Sequence, residues 1–256
     1  MNVRVLWVCL AVSACSKAAA PPPAEAPEPS TITGELAGMR YLEHMTGGAR
    51  HDERVPMILV LHPMGGDPEG MLELLQRYPR RARLILPYGY PRGGKYVWFA
   101  TPLSNMSADV VTHETERLST LLRALVTVKP TQGKPLVTGF SQGGFLSFAL
   151  AVTNPDEIFA ALPIGGTLPS ALYPSAAASS VQRPARLPPV IAFHGTEDLV
   201  VPLQRARESV AELKSVGYPA ELREYAGLAH SISPQEFADV VEQLGRLSDA
   251  TSSALR

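Results

Sequence analysis

Residues 134–152 read KPLVTGFSQGGFLSFALAV, and the order of their parts decides the fold. An apolar run from Lys134 to Thr138 has the character of a buried strand. The run from Gln142 to Val152 carries no proline and has the character of a buried helix. Between them lies Gly139-Phe140-Ser141-Gln142-Gly143, a Gly-x-Ser-x-Gly reversal. A strand, such a turn and a helix make a nucleophile elbow, which holds the serine hydroxyl out beside the first amides of the helix. Both flanking residues must be glycine, because a side chain at either would strike neighbouring backbone.

Working outward, 55–61 (VPMILVL) is continuously apolar, as a strand covered on both faces would be. Pro68 to Tyr78 then reads as a helix and Arg83 to Pro87 as the next strand. After a long irregular stretch, Ser107 to Val128 has helical spacing and stops before Pro130. Phe159 to Ile164 and Val190 to Phe193 are further strands. Leu203 to Val216 is an amphipathic helix ended by Gly217, and Ala220 to Tyr225 is a last strand. Ser233-Pro234-Gln235-Glu236 opens a final helix with a capping box. Gly38 to Thr46 alternates as an edge strand ahead of this series. Strands alternating with helices predict an α/β fold, a mostly parallel central sheet with helices on both faces. Functional groups in such sheets gather at the carboxyl ends of the strands. The long proline-containing segment from Thr167 to Pro189 is a loop, read either as a lid over the site or as a solvated insertion.

The chain has 256 residues, 45% of them hydrophobic and 18% charged, with a net charge of −1. That is an ordinary globular composition without a basic stripe, which gives nucleic acid and acidic polymers no support as partners, and none is expected. The first residues stand apart. Arg4 is followed by an apolar stretch from Val5 to Val12, too short to span a bilayer, as in a secretory signal. Val12-Ser13-Ala14-Cys15 resembles a bacterial lipobox, which implies lipidation of Cys15 and a lipoprotein anchored to the cell envelope, facing the periplasm or exterior. Plain cleavage near Ala18 to Ala20 is the alternative. Either way Cys9 leaves with the signal, so no disulfide is expected. Residues 1–14 are thus assigned to a signal peptide and 15–33 to a Pro/Ala-rich tether. The catalytic domain is placed at 34–250.

A serine hydroxyl is a weak nucleophile at neutral pH and needs a base, which a carboxylate must orient. Downstream of Ser141 stand only His194 and His230. His194 precedes every acid of its own loop, whereas His230 follows the last strand, where a base belongs in the order serine, acid, histidine. His194 is read as structural. Glu197 and Asp198 compete for the acid, and position alone leaves both open. Two amide donors are needed for an oxyanion. Gln142, directly after the nucleophile, supplies one. The loop 61–67 supplies the other, and Met64 is its first usable amide because Pro63 has none.

Three segments, 139–144 (GFSQGG), 194–202 (HGTEDLVVP) and 227–233 (GLAHSIS), resemble the phospholipase/carboxylesterase family of α/β hydrolases, which includes the acyl-protein thioesterases. Residues 96–99 (YVWF) are similar to its tryptophan-phenylalanine segment. The resemblance spans about Val55 to Leu247. It implies Ser141 as nucleophile, Asp198 as acid, His230 as base, and Met64 and Gln142 as oxyanion donors, with Trp98 beside the substrate. It also implies a small ester or acyl substrate and no cofactor; no His/Cys/Asp cluster has metal-ligand spacing, so no metal is expected. His62-Pro63 departs from the family's His-Gly at that strand end. Peptide or amide cleavage on the same groups is a second reading, and an inactive lipid-anchored binding module a third. Gly89 to Lys95 has P-loop spacing, but Tyr96 stands where serine or threonine would hold magnesium, so phosphate binding is set aside.

Overall fold

The computed structural model describes residues 29–100, 107–174 and 186–253. Its main sheet has eight strands in the order β1-β2-β4-β3-β7-β8-β9-β10. These are β1 (Thr31–Leu36), β2 (Met39–Thr46), β3 (Met57–Leu61), β4 (Ala82–Pro87), β7 (Leu136–Phe140), β8 (Ala160–Ile164), β9 (Val190–Gly195) and β10 (Ala220–Tyr225). Only the β1–β2 and β2–β4 pairs are antiparallel. All other neighbours run parallel. The chain therefore has the expected mostly parallel sheet of an α/β-hydrolase fold.

Strand alternation divides the apolar run of β3 between two cores. Leu59 and Leu61 face the core shared with α2 (Ala108–Val128), α3 (Gln142–Thr153) and α4 (Leu203–Ser215). Ile58 and Val60 face the core shared with α1 (Pro68–Leu75) and α5 (Pro234–Ser253). A side-chain period of two makes this split, and both faces are covered because parallel crossovers place helices on each. Helix starts follow the capping chemistry: Asp67 accepts from the Gly70 amide at 2.8 Å and Ser107 from the Val110 amide.

Three expectations are corrected. The strand at 39–46 is not the edge, since β1 pairs along its outer side from Thr31↔His44 to Leu36↔Met39. The sheet thus begins at Thr31, inside the segment assigned to the tether, and α5 runs past residue 250 to Ser253. The irregular stretch after β4 contains a hairpin, β5 (Tyr90–Arg92) with β6 (Lys95–Val97), closed by Gly93 and Gly94 at positive φ. The segment with P-loop spacing is therefore a β-turn, not a phosphate cradle. Of the loop from Thr167 to Pro189, the first part holds a short 3₁₀ turn (Ser170–Leu172), and Thr167 Oγ1 lies 2.8 Å from Ser209 Oγ on α4. The middle of that loop, the signal peptide, Cys15 and most of the tether lie outside the described residues.

Candidate active site

The elbow forms where β7 ends against β3 and β8. Ser141 has φ 54° and ψ −114°, a conformation that L-residues rarely adopt. It is held there by its amide on the Ile164 carbonyl (3.0 Å) and its carbonyl under the Phe145 amide (2.9 Å). The flanking glycines are required. A Cβ on Gly139 would lie 2.7 Å from the Leu61 carbonyl oxygen, and one on Gly143 only 2.2 Å from the same atom. Gly144 is closed off as well, at 2.5 Å from the Ile164 oxygen. The helix therefore starts immediately after the serine, with its first amides beside the hydroxyl.

The loops after β9 and β10 bring the other two groups to this point. Asp198 and His230 are 32 residues apart in sequence, and their loops are tied together. The Glu197 amide donates to the Leu228 carbonyl and the Thr196 amide to that of Tyr225, both at 2.9 Å. Gly195 permits the approach, since a Cβ there would sit 2.1 Å from the Leu228 oxygen. The result is a continuous chain of hydrogen bonds: His230 Nδ1 lies 2.7 Å from Asp198 Oδ2, and His230 Nε2 lies 2.9 Å from Ser141 Oγ. The carboxylate accepts at Nδ1–H, which leaves Nε2 free to accept from the hydroxyl. Such an arrangement can draw a proton from Ser141 as its oxygen attacks. Asp198 Oδ1 is fully engaged by the amides of Val200 (2.9 Å) and Val201 (2.8 Å), so the aspartate cannot swing away. Glu197, the competing acid, is exposed. The ring of Phe140 stacks on the His230 imidazole, with centroids 4.8 Å apart and planes inclined by 30°.

His194 is structural in its bonding yet closer to this chain than sequence order suggests. Its Nε2–H donates to the Val201 carbonyl at 2.7 Å, and Asp198 Oδ2 lies 3.4 Å away. Burial lowers its pKa, which keeps the ring neutral, and its Nδ1 has no hydrogen-bond partner among the described residues.

The loop carrying Met64 is a tight turn in which the Gly66 amide donates to the Pro63 carbonyl at 3.1 Å and Gly65 takes φ 72°. Positive φ at the third position is what a type II turn asks of glycine. Pro63 opens the turn, where no N–H is called for, and the turn's own bond does not use the Met64 amide. Among the described residues neither the Met64 nor the Gln142 amide has an acceptor. The hairpin fixes this loop through Gly65 N–H to the Tyr96 carbonyl (2.9 Å) and Tyr96 N–H to the Gly66 carbonyl (3.0 Å). His62 fixes it from below. Its Nδ1–H donates to the Pro63 carbonyl (2.8 Å) and its Nε2 accepts from the Gly89 amide (3.1 Å). Burial lowers its pKa too, in keeping with a neutral ring that both donates and accepts.

Trp98 is not a pocket wall. It is fully buried, stacked on His62 at 4.7 Å, with its indole N–H on the His62 carbonyl at 2.9 Å. Its bulk and single donor are absorbed by the core, so its part in the site is support for the Met64 loop. The side chain of Gln142, absent from the sequence reading, clamps the same segment. Its Oε1 accepts from the Trp98 amide (3.0 Å) and its Nε2 donates to the Phe99 carbonyl (2.8 Å). A lone amide in an otherwise apolar, buried helix is the signal that points to such a role.

Glu236 is a further buried titratable group. Its amide donates to Ser233 Oγ at 3.1 Å, the serine half of a capping box at the head of α5. Oε2 has no partner among the described residues. Burial, followed by the nearby charges of Asp198 and Asp239, pushes its pKa up to about 7. A carboxyl whose folded pKa is raised favours the folded state below its unfolded value, and that contribution is lost as pH rises through the folded value. Glu236 therefore contributes a loss of stability between about pH 4.5 and pH 8, and Glu236→Gln should remove that contribution, leaving the variant relatively more stable at pH 8 than at pH 5 when each is compared with the parent. Urea midpoints at pH 5 and pH 8 measure it; equal slopes for both proteins would refute the assignment.

The family model for phospholipase/carboxylesterase matches residues 49–248. Acyl-protein thioesterase 1 of Gibberella zeae is 35% identical over 105 residues, 40% of this chain and 43% of that protein. A probable carboxylesterase of Oryza sativa subsp. japonica, Os04g0669600, is 29% identical over 152 residues, 56% of this chain and 63% of that one. The matched part is thus less than two thirds of either relative. Among solved structures, that of esterase PE8 superposes with a TM-score of 0.67 at 20% identity, covering 79% of this chain and 99% of the other. That likeness shows the shared fold.

Proposed function

The chain belongs to the phospholipase/carboxylesterase family, and from that membership we propose that it hydrolyses carboxylic esters or thioesters through an acyl-enzyme on Ser141. The observation that carries the proposal is the unbroken bonding from Asp198 through His230 to Ser141, at 2.7 and 2.9 Å. In this reading Ser141 Oγ attacks the acyl carbon while Nε2 of His230 takes its proton. Asp198 orients the ring and offsets the charge that forms on it. The oxyanion is received by the amides of Met64 and Gln142, the latter at the positive end of α3. As the carbon–oxygen or carbon–sulfur bond breaks, the imidazolium returns the proton to the leaving atom. Water then repeats the sequence on the acyl-enzyme and frees the acid. The chemistry needs no cofactor.

Short nitrophenyl esters, the matching thioesters and the matching anilides, assayed side by side, test the proposal. Ester and thioester turnover well above anilide turnover is the expected order; a preference for anilides would favour peptidase or amidase chemistry instead. At the amino terminus, the lipobox-like Val12 to Cys15 and the proline-rich segment after it support a lipid anchor on Cys15. It would tether the enzyme to the cell envelope, facing the periplasm or exterior. Mass spectrometry of the mature protein, showing Cys15 first and lipidated, would bear this out, and an unmodified start near Ala20 would refute it.

A further inference from the structure

A groove of about 440 Å³ opens beside His230 on the α1/α5 face of the sheet. Its walls are mostly apolar: Met71 and Leu74 of α1, Phe140 of the elbow, and Ile232 just before α5. Leu74 is 40% exposed, a large apolar side chain left facing the opening. At one end the Lys95 ammonium meets the Asp67 carboxylate at 2.5 Å, so the two charges there cancel each other. A second cavity, about 560 Å³, lies on the opposite face among α2, α3 and α4 and does not touch His230. Ser141 follows Phe140, which lines the groove, and precedes α3, whose Phe145 lines the second cavity.

We infer that the groove beside His230 is the subsite for the leaving alcohol or thiol, and that it takes an uncharged, apolar one. The inference rests on the hydrolase reading above. In acylation the bond from Ser141 Oγ to the acyl carbon forms, and the bond from that carbon to the leaving oxygen or sulfur breaks. The proton taken from Oγ travels on His230 Nε2 to the leaving atom, which departs as ROH or RSH. The leaving atom must therefore lie within reach of Nε2, and whatever is attached to it extends past the imidazole. The groove begins at that ring and at Phe140 stacked against it. The acyl part, bound to the same carbon, is directed to the other face. Apolar walls reward burial of methylenes. The self-neutralised Lys95–Asp67 pair offers no unmatched charge to an ionic alcohol.

The test holds the acyl group at butyryl and varies the alcohol through methyl, butyl, hexyl and benzyl, with choline as a charged control. The expected result is a rise in kcat/KM of about two- to fourfold per added methylene until the groove is filled, with choline below butyl. Leu74→Asp should lower the hexyl-to-methyl ratio about tenfold or more. By reversal of the same step, hexanol should intercept the butyryl-enzyme to give hexyl butyrate more readily than methanol gives the methyl ester. That measurement needs no variant. A flat alcohol series with methyl butyrate still turned over, or a hexyl-to-methyl ratio unchanged in Leu74→Asp, overturns the assignment and leaves the hydrolase reading standing. Absence of any Ser141-dependent hydrolysis would remove both.

Discussion

Replacing Ser141 with alanine is expected to lower kcat on a nitrophenyl ester by about 10⁵-fold or more while leaving the fold intact. The large loss follows from the division of labour in the site. Without Oγ there is no covalent step, and only the oxyanion amides and substrate binding remain to assist water. The intact fold follows from the local geometry. Alanine keeps the Cβ that serine already places at φ 54°, and the bonds holding the turn run through backbone atoms, to Ile164 and from Phe145. Only the hydroxyl contact with His230 is lost. Circular dichroism and a thermal melt, run with the assay, separate the two effects. A variant that keeps more than about a hundredth of the activity would show that another group attacks the substrate.

Asp198→Asn should cost about 10⁴-fold in kcat, because it reverses the tautomer of the base. The bonding around Asp198 dictates which way the amide must point. Oδ1 accepts from two backbone amides, so the asparagine oxygen has to occupy that position. The NH₂ group then replaces Oδ2 and faces His230 Nδ1. Two donors cannot meet there, and the ring responds by carrying its proton on Nε2, where it points at Ser141 and cannot accept. His194 does not relieve this, since its Nε2–H is already committed to the Val201 carbonyl. The loss should therefore appear in kcat with the thermal midpoint little changed. A variant unfolded at assay temperature, or one within tenfold of the parent, would contradict the tautomer argument.

The parts of this molecule that could be read from sequence are those governed by local physics. The run at 55–61 announced a strand covered on both faces, and β3 splits its side chains between the two cores as period two requires. Gly139 and Gly143 were legible because the clash that excludes a side chain is set by the turn itself, and the Leu61 oxygen is what a Cβ would strike. Chain order alone singled out His230 over His194, whereas choosing Asp198 over Glu197 needed the family resemblance. What stayed hidden depends on which distant segments meet. Thr31 to Leu36 is short and follows a proline-rich stretch, so nothing local marks it as the partner that covers β2. The β5–β6 hairpin has three-residue strands beside Pro91, Gly93 and Gly94, too brief for any periodicity to show. Trp98 was expected beside the substrate, but its place under His62 is decided by tertiary packing alone. The Gln142 clamp and the closeness of His194 to Asp198 are likewise long-range results.

The central claim is that His230, oriented by Asp198, makes Ser141 a nucleophile. Treatment with a fluorophosphonate, followed by peptide mass spectrometry, tests it most directly. The account predicts one adduct per chain, on Ser141, and labelling slowed by orders of magnitude in Asp198→Asn. A protein that stays unlabelled, or that carries the adduct on a different residue, would contradict it.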